Sequence, residues 1–135
     1  MPNDIKKLKS IMRRANMLTN QRPANGNRSY AMRVAHKIEN ILTDLRNGYV
    51  HFTYVKIDGS HRVALGTLNP MLIPANKTPK AEKTERDIER EDYNLRHCLI
   101  PYYDLDKDEW RAFFYYTVLS NDDKPGCYKP VPLNL

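Results

Sequence analysis

Apolar positions recur at helical spacing through the first forty-eight residues and then switch to alternation, so the pattern predicts helices first and strands after. Ile5, Leu8, Met12, Ala15 and Leu18, with Ile11, fill one arc of a helix over residues 3–18. Lys6, Lys7, Lys9, Arg13 and Arg14 fill the opposite arc. Asn3 or Asp4 can cap this helix, because a short side-chain oxygen accepts from the free N–H groups of a first turn. Residues 20–28 hold Pro23, Gly26 and several asparagines and read as a loop. Ser29 then fits an N-cap, and Ala31, Val34, Ala35, Ile38, Ile41, Leu42 and Leu45 form a second apolar stripe. Gly48 ends that helix, on the expectation that it takes up a positive φ.

From Val50 to Ile57 the residues are β-branched and aromatic, with Val50, Phe52 and Tyr54 on one face. Asp58-Gly59 predicts a two-residue type I′ hairpin turn, and His61–Leu68 returns as the second strand. That loop length places Tyr54 near Val63 and Val55 near Arg62. Residues 69–80 contain three prolines and cannot be a central strand. Residues 81–96 mix cations and anions with few apolar groups, and read as a solvated short helix or loop. Leu99–Leu105 is a third strand, with Pro101 implying an edge or a bulge. Asp106-Lys107-Asp108 makes the turn, Trp110–Tyr116 returns as a fourth strand, and Thr117–Ser120 is a short fifth strand or 3₁₀ turn.

The expected fold class is therefore α+β: two N-terminal amphipathic helices followed by a small antiparallel β-barrel of the SH3/Sm-like kind. The absence of a βαβ rhythm argues against a parallel-sheet enzyme fold. The expected organisation is a basic helical arm over 1–48, a barrel over 49–120 with a charged insertion at 76–97, and a Pro-rich tail over 121–135.

Charge changes the picture more than composition does. Residues 1–48 hold 10 Lys/Arg against 3 Asp/Glu, and the remainder holds 12 against 13, so the excess of +6 sits entirely in the arm. Such asymmetry points to an acidic partner such as nucleic acid, or to an arm that packs on its own slightly acidic body. With no apolar run of membrane-spanning length and no signal-like start, the expectation is a cytoplasmic chain with no membrane partner. Cys98 and Cys127 read as ordinary reduced side chains, a disulfide clamping the tail being the alternative.

The stretch HFTYVKIDGSHRVALGTLNPMLIP, followed by IPYYDLDKDEWRAFFYYTVLS, resembles the WYL-type domains. It looks most like their small Sm-like, SH3 β-barrel branch, common in Bacteroidetes and their phages. Shared features are a Tyr in the first strand, Asp-Gly, an Arg in the second strand, and later an aromatic strand, a turn and Trp-Arg-x-Phe. The matching positions are Tyr54, Gly59, Arg62, Tyr102, Tyr103, Trp110, Arg111 and Phe113. The Trp-Tyr-Leu tripeptide is absent, and Pro101-Tyr102-Tyr103 stands near its place. The resemblance implies a ligand- or nucleic-acid-sensing barrel, often tied to transcription and phage defence.

Candidate chemistry is that of binding. No phosphate-cradling glycine loop, nucleophile elbow or metalloprotease helix is present, and His36, His51, His61 and His97 lack metal-ligand spacing. The expectation is a non-catalytic chain with no cofactor and no metal. Lys6, Lys7, Lys9, Arg13 and Arg14 can contact phosphates, or simply keep the protein soluble. Seven of the 13 aromatics lie within residues 102–116, where they can stack on bases or fill the core. Tyr102, Trp110, Ala112 and Phe114 fall on one parity; Tyr103, Arg111, Phe113 and Tyr115 fall on the other. Arg62 and Arg111 lie mid-strand and suit phosphate or carboxylate recognition, unless Asp104, Glu109 or solvent takes them. Binding residues are therefore Lys6, Lys7, Lys9, Arg13, Arg14, Tyr54, Arg62, Tyr103, Arg111 and Phe113. Expected partners are nucleic acid or a nucleotide, with a protein partner as the alternative and a homodimer through the two helices as an assembly.

Overall fold

A computed structural model describes residues 2–21, 24–114 and 117–122. The elements are α1 (Pro2–Thr19), α2 (Arg28–Asn47), β1 (Tyr49–Val55), β2 (His61–Thr67), two 3₁₀ turns, α3 (Glu85–Arg96), β3 (Leu99–Asp104), β4 (Glu109–Phe114) and β5 (Val118–Asn121). The expected Pro-rich tail over 121–135 is described only at Asn121, which ends β5, and Asp122; the rest of it, with Cys127, lies outside the described residues.

The two N-terminal helices pair along Ile11, Ala15 and Leu18 of α1, all of which are buried. Ile5, Leu8 and Met12 are not: they remain about half exposed, so α1 buries only the flank of its apolar arc that faces α2. Asn27, not Ser29, caps α2, its side chain accepting from the Tyr30 N–H at 3.0 Å. Gly48 ends the helix at φ 178°, which is extended backbone, so the stop does not rest on a positive φ. Its N–H still satisfies the Asp44 carbonyl. The α2 stripe of Ala31, Val34, Ala35, Ile38, Ile41, Leu42 and Leu45 is buried in full.

The strands form one antiparallel sheet in the order β4-β3-β2-β1-β5. It curls enough for Phe52 on β1 to reach Phe113 on β4, with ring centroids 5.4 Å apart. Among the described residues β4 and β5 do not pair, so the barrel is not closed. Val50, Phe52, Tyr54, Ala64, Ile100, Tyr102, Phe113 and Val118 line the inner face and share one core with the helices. Gly66 sits under these rings. A Cβ there would lie 2.7 Å from Tyr102 and 2.9 Å from Phe52, so the rings occupy the space a side chain would need.

Both hairpin registers differ from the expectation by one residue. The first turn is longer than a type I′ turn: the Gly59 N–H bonds the Lys56 carbonyl, and the Lys56 N–H bonds the Ser60 carbonyl. Only Gly59 has a positive φ, 87°, as in a turn closed by a bulged glycine. The pairs are therefore Tyr54↔Arg62 and Val55↔His61. The second turn takes four residues, with Asp108 at φ 53°, so Tyr102 pairs Arg111 and Tyr103 pairs Trp110. Directly paired residues share a face. Tyr102 thus joins Arg111 and Phe113, and the expected grouping of Tyr102 with Trp110 is corrected.

Pro101 lies on β3 where β2 no longer pairs, because the β2–β3 ladder covers only Gly66↔Asp104 and Thr67↔Tyr103. Its missing N–H therefore costs no ladder bond. The proline-rich connection forms 3₁₀ turns over Pro70–Leu72 and Ala75–Lys77, and the charged segment forms the largely exposed α3.

Candidate ligand cleft

Where the sheet curls without closing, a cleft of about 480 Å³ opens between the β1–β2 hairpin tip and β4. Its walls are Tyr54, Val55, Lys56, Ile57 and Asp58 on one side, and Arg111, Ala112, Phe113 and Phe114 on the other, with Arg62 and Leu99. The register shift puts Arg62 here. Opposite Tyr54, it inherits the inner face, whereas the two-residue turn would have sent it outward beside Val55.

Tyr54 of the cleft wall shares a buried hydrogen bond with Tyr102, which does not itself line the cleft, their hydroxyl oxygens 2.9 Å apart. Burial, then the bond to Tyr54, raises the Tyr102 phenol far above its ordinary range, while the nearby Arg62 charge pulls the other way.

The two arginines differ. Arg111 Nε lies 3.3 Å from Asp104 Oδ2, an ionic contact without an aligned hydrogen bond, and its terminal nitrogen lies 2.5 Å from Glu109. Asp104 is buried, and its other oxygen accepts from the Asp106 and Lys107 N–H groups at 3.0 Å each. It holds the β3–β4 turn and Arg111 together. Arg62, half-buried, makes no ion pair with any described residue. Asp58 at the rim is engaged elsewhere: it accepts from the Ser60 hydroxyl at 2.6 Å and the Ser60 N–H at 2.9 Å, which hold its carboxyl below the usual range.

Four of the ten expected binding residues, Tyr54, Arg62, Arg111 and Phe113, meet in this cleft. Tyr103 does not. It is buried on the other face, its ring 5.7 Å from Trp110 and its hydroxyl donating to Asp108. The Trp110 indole donates to the Lys77 carbonyl at 2.8 Å, which ties the 3₁₀ segment to that side of the sheet. No residue of α1 lines the cleft. Lys6, Lys7, Lys9 and Arg13 are exposed on α1, but Arg14 turns toward α2, 3.9 Å from Glu39, which also accepts from Ser10. Helix pairing thus takes Arg14 out of the free basic face. Lys56, Ile57, Asp58 and Phe114 also line the cleft and were not expected; the signal for the first three was the length of the first turn.

Among the described residues, no group of three His, Cys, Asp or Glu side chains could hold a metal ion, and no helix is long and apolar enough to cross a membrane. Cys98 is a buried free thiol donating to Gln21, and burial raises its pKa. The His97 ring packs on Tyr93, 4.1 Å between centroids.

No curated protein and no solved structure matches the chain. A family profile described as WYL_2, Sm-like SH3 beta-barrel fold, matches residues 38–117. That span runs from the second half of α2 to the residue before β5 and takes in every cleft residue. With more than half of the chain inside the match, and with a curled antiparallel sheet following its helices, the protein belongs to the WYL_2 family of Sm-like SH3 β-barrel folds.

Proposed function

We propose that this chain is a non-catalytic binding module whose cleft takes a nucleotide-sized anion with a flat ring. The observation that carries the reading is the setting of Arg62. Its guanidinium stands on the inner face, opposite Tyr54 in the cleft wall, with no carboxylate of the described residues within ion-pair distance. A planar guanidinium in a half-dry site suits bidentate contact with a phosphate or carboxylate. Phe113 and Phe114 supply apolar wall for a ring, and the volume fits a mononucleotide better than a packed strand of nucleic acid. The groups that line the cleft, two guanidiniums, a phenol and two phenyl rings, are recognition groups, which supports reading the cleft as a binding site.

The test is titration of the full chain with nucleoside monophosphates and with single-stranded and duplex oligonucleotides, at two salt concentrations. The expected result is saturable binding of a mononucleotide that weakens about tenfold or more in Arg62→Ala, since hydrogen bonds to a charged group are worth about 1.5–3 kcal/mol. Oligonucleotide binding that exceeds mononucleotide binding and ignores Arg62 would reject the cleft as the site.

A further inference from the structure

The first helix presents two surfaces, and only one is used. With Ile11 as the reference at 100° per residue, Ala15 and Leu18 fall within about 40° of it and form the seam against α2. Lys7 and Arg14 lie round one flank, at about 320° and 300°, where they meet Asn40 and Glu39 of α2. Leu8, Met12 and Ile5 lie round the other flank, at about 60°, 100° and 120°. Their exposures are 50%, 45% and 56%, against 3% for Ile11 and 0% for Ala15. Lys9, Arg13 and Lys6 follow at about 160° to 220°, on the crest facing away from the body.

The result is a narrow apolar strip at i, i+3 and i+7, bordered on its outer side by cations. Its shape and charge select among occupants. A second copy of α1 would bring its own five Lys/Arg against one Asp, so self-pairing sets like charges together. A bilayer is flat and would meet the crest, which carries Lys6, Lys9 and Arg13, before the flank. A polyanion such as DNA would use the crest and leave the strip uncovered. Another helix, with apolar side chains at heptad spacing and carboxylates beside them, matches both the strip and its border.

We propose that the outer flank of α1, Ile5, Leu8 and Met12 with Lys9 and Arg13, is a docking seam for an acidic amphipathic helix of another protein. It is separate from the cleft, whose residues it does not share.

The probe is a labelled three-heptad peptide with Leu at a and d and Glu at e and g, titrated against the full chain by fluorescence anisotropy. Its controls are a scrambled peptide of the same composition, a DNA duplex and phosphatidylserine vesicles. The expected result is micromolar binding of the patterned peptide, at least tenfold tighter than the scrambled one. Leu8→Gln/Met12→Gln and Lys9→Glu/Arg13→Glu each weaken it at least tenfold, with thermal melts confirming the fold, while Arg62→Ala leaves it unchanged. Equal binding of the scrambled peptide overturns the proposal, as does indifference to Leu8→Gln/Met12→Gln. So does tighter binding of the duplex or the vesicles, or sedimentation that shows self-association abolished by Leu8→Gln/Met12→Gln.

Discussion

At its Val50–Gly66 end the β1–β2 hairpin has no spare volume, whereas at its Tyr54–Arg62 end the same inner face opens into a cleft. The two ends are four residues apart and belong to the same pair of strands. What separates them is the side chain on β2. Gly66 lets the rings of Phe52 and Tyr102 close over the sheet, while Arg62 holds a charge that cannot be buried without a partner. The comparison teaches that one face can serve as core and as site when the strand changes from no side chain to a long cation.

The sharpest way to break the comparison is Gly66→Ala. The new methyl group would sit 2.7 Å from Tyr102 and 2.9 Å from Phe52, both fully buried rings, so neither can swing into solvent. Overpacking of this kind costs about 3 kcal/mol. A thermal melt followed by circular dichroism should fall by about 10 °C. An unchanged melting temperature would mean that the closed end has slack and the contrast is false.

The hydroxyl pair marks the border between the two ends. Tyr102→Phe leaves the Tyr54 hydroxyl, on a residue 4% exposed, without its partner and should cost about 1–2 kcal/mol in urea unfolding. Tyr54→Phe/Tyr102→Phe should recover part of that loss, because removing both groups leaves no orphan. A double variant as costly as the sum of the singles would show that water from the cleft, not the partner, satisfies each hydroxyl.

Much of this arrangement was legible in the chain and some was not, for local reasons. The α2 stripe and the inward set Val50, Phe52 and Tyr54 follow from periodicity, because burial on one side imposes it. The placement of Arg62 does not follow from periodicity. It depends on whether Asp58-Gly59 closes a two-residue turn or a longer one with Gly59 as its bulge, and the dipeptide suits both. One residue of turn length decides which face Arg62 occupies. Asp108 at φ 53° does the same for Tyr102 and Arg111. The outer half of the α1 arc is a different case. An apolar stripe records what a face can bury, and a lone chain leaves Ile5, Leu8 and Met12 uncovered.

Arg62→Ala sharpens the contrast from the open end. With no ion pair to a described residue, its loss should change stability by no more than about 0.5 kcal/mol, in the range of surface substitutions. The same variant should lose mononucleotide affinity about tenfold. A large loss of stability would instead make Arg62 part of the packing, like Gly66.

The smallest expected effect separates the two counterions of Arg111. Asp104 is buried and holds two turn amides as well as the guanidinium, so a ligand cannot displace it without unmaking the β3–β4 turn. Glu109 has a side chain 53% exposed and makes one contact. An exposed pair of this kind is worth less than about 1 kcal/mol, which an incoming phosphate can match. Glu109 therefore competes with an anion for Arg111. Glu109→Gln removes the competitor and keeps the shape, so mononucleotide affinity should rise by up to about fivefold at low salt and converge on wild type as salt screens the pair. Asp104→Asn should not mimic it, because it weakens the turn that aims Arg111 into the cleft. If Glu109→Gln leaves affinity unchanged while Arg62→Ala abolishes it, Arg111 belongs to the closed half of the face, and Arg62 is the arginine that serves the open half.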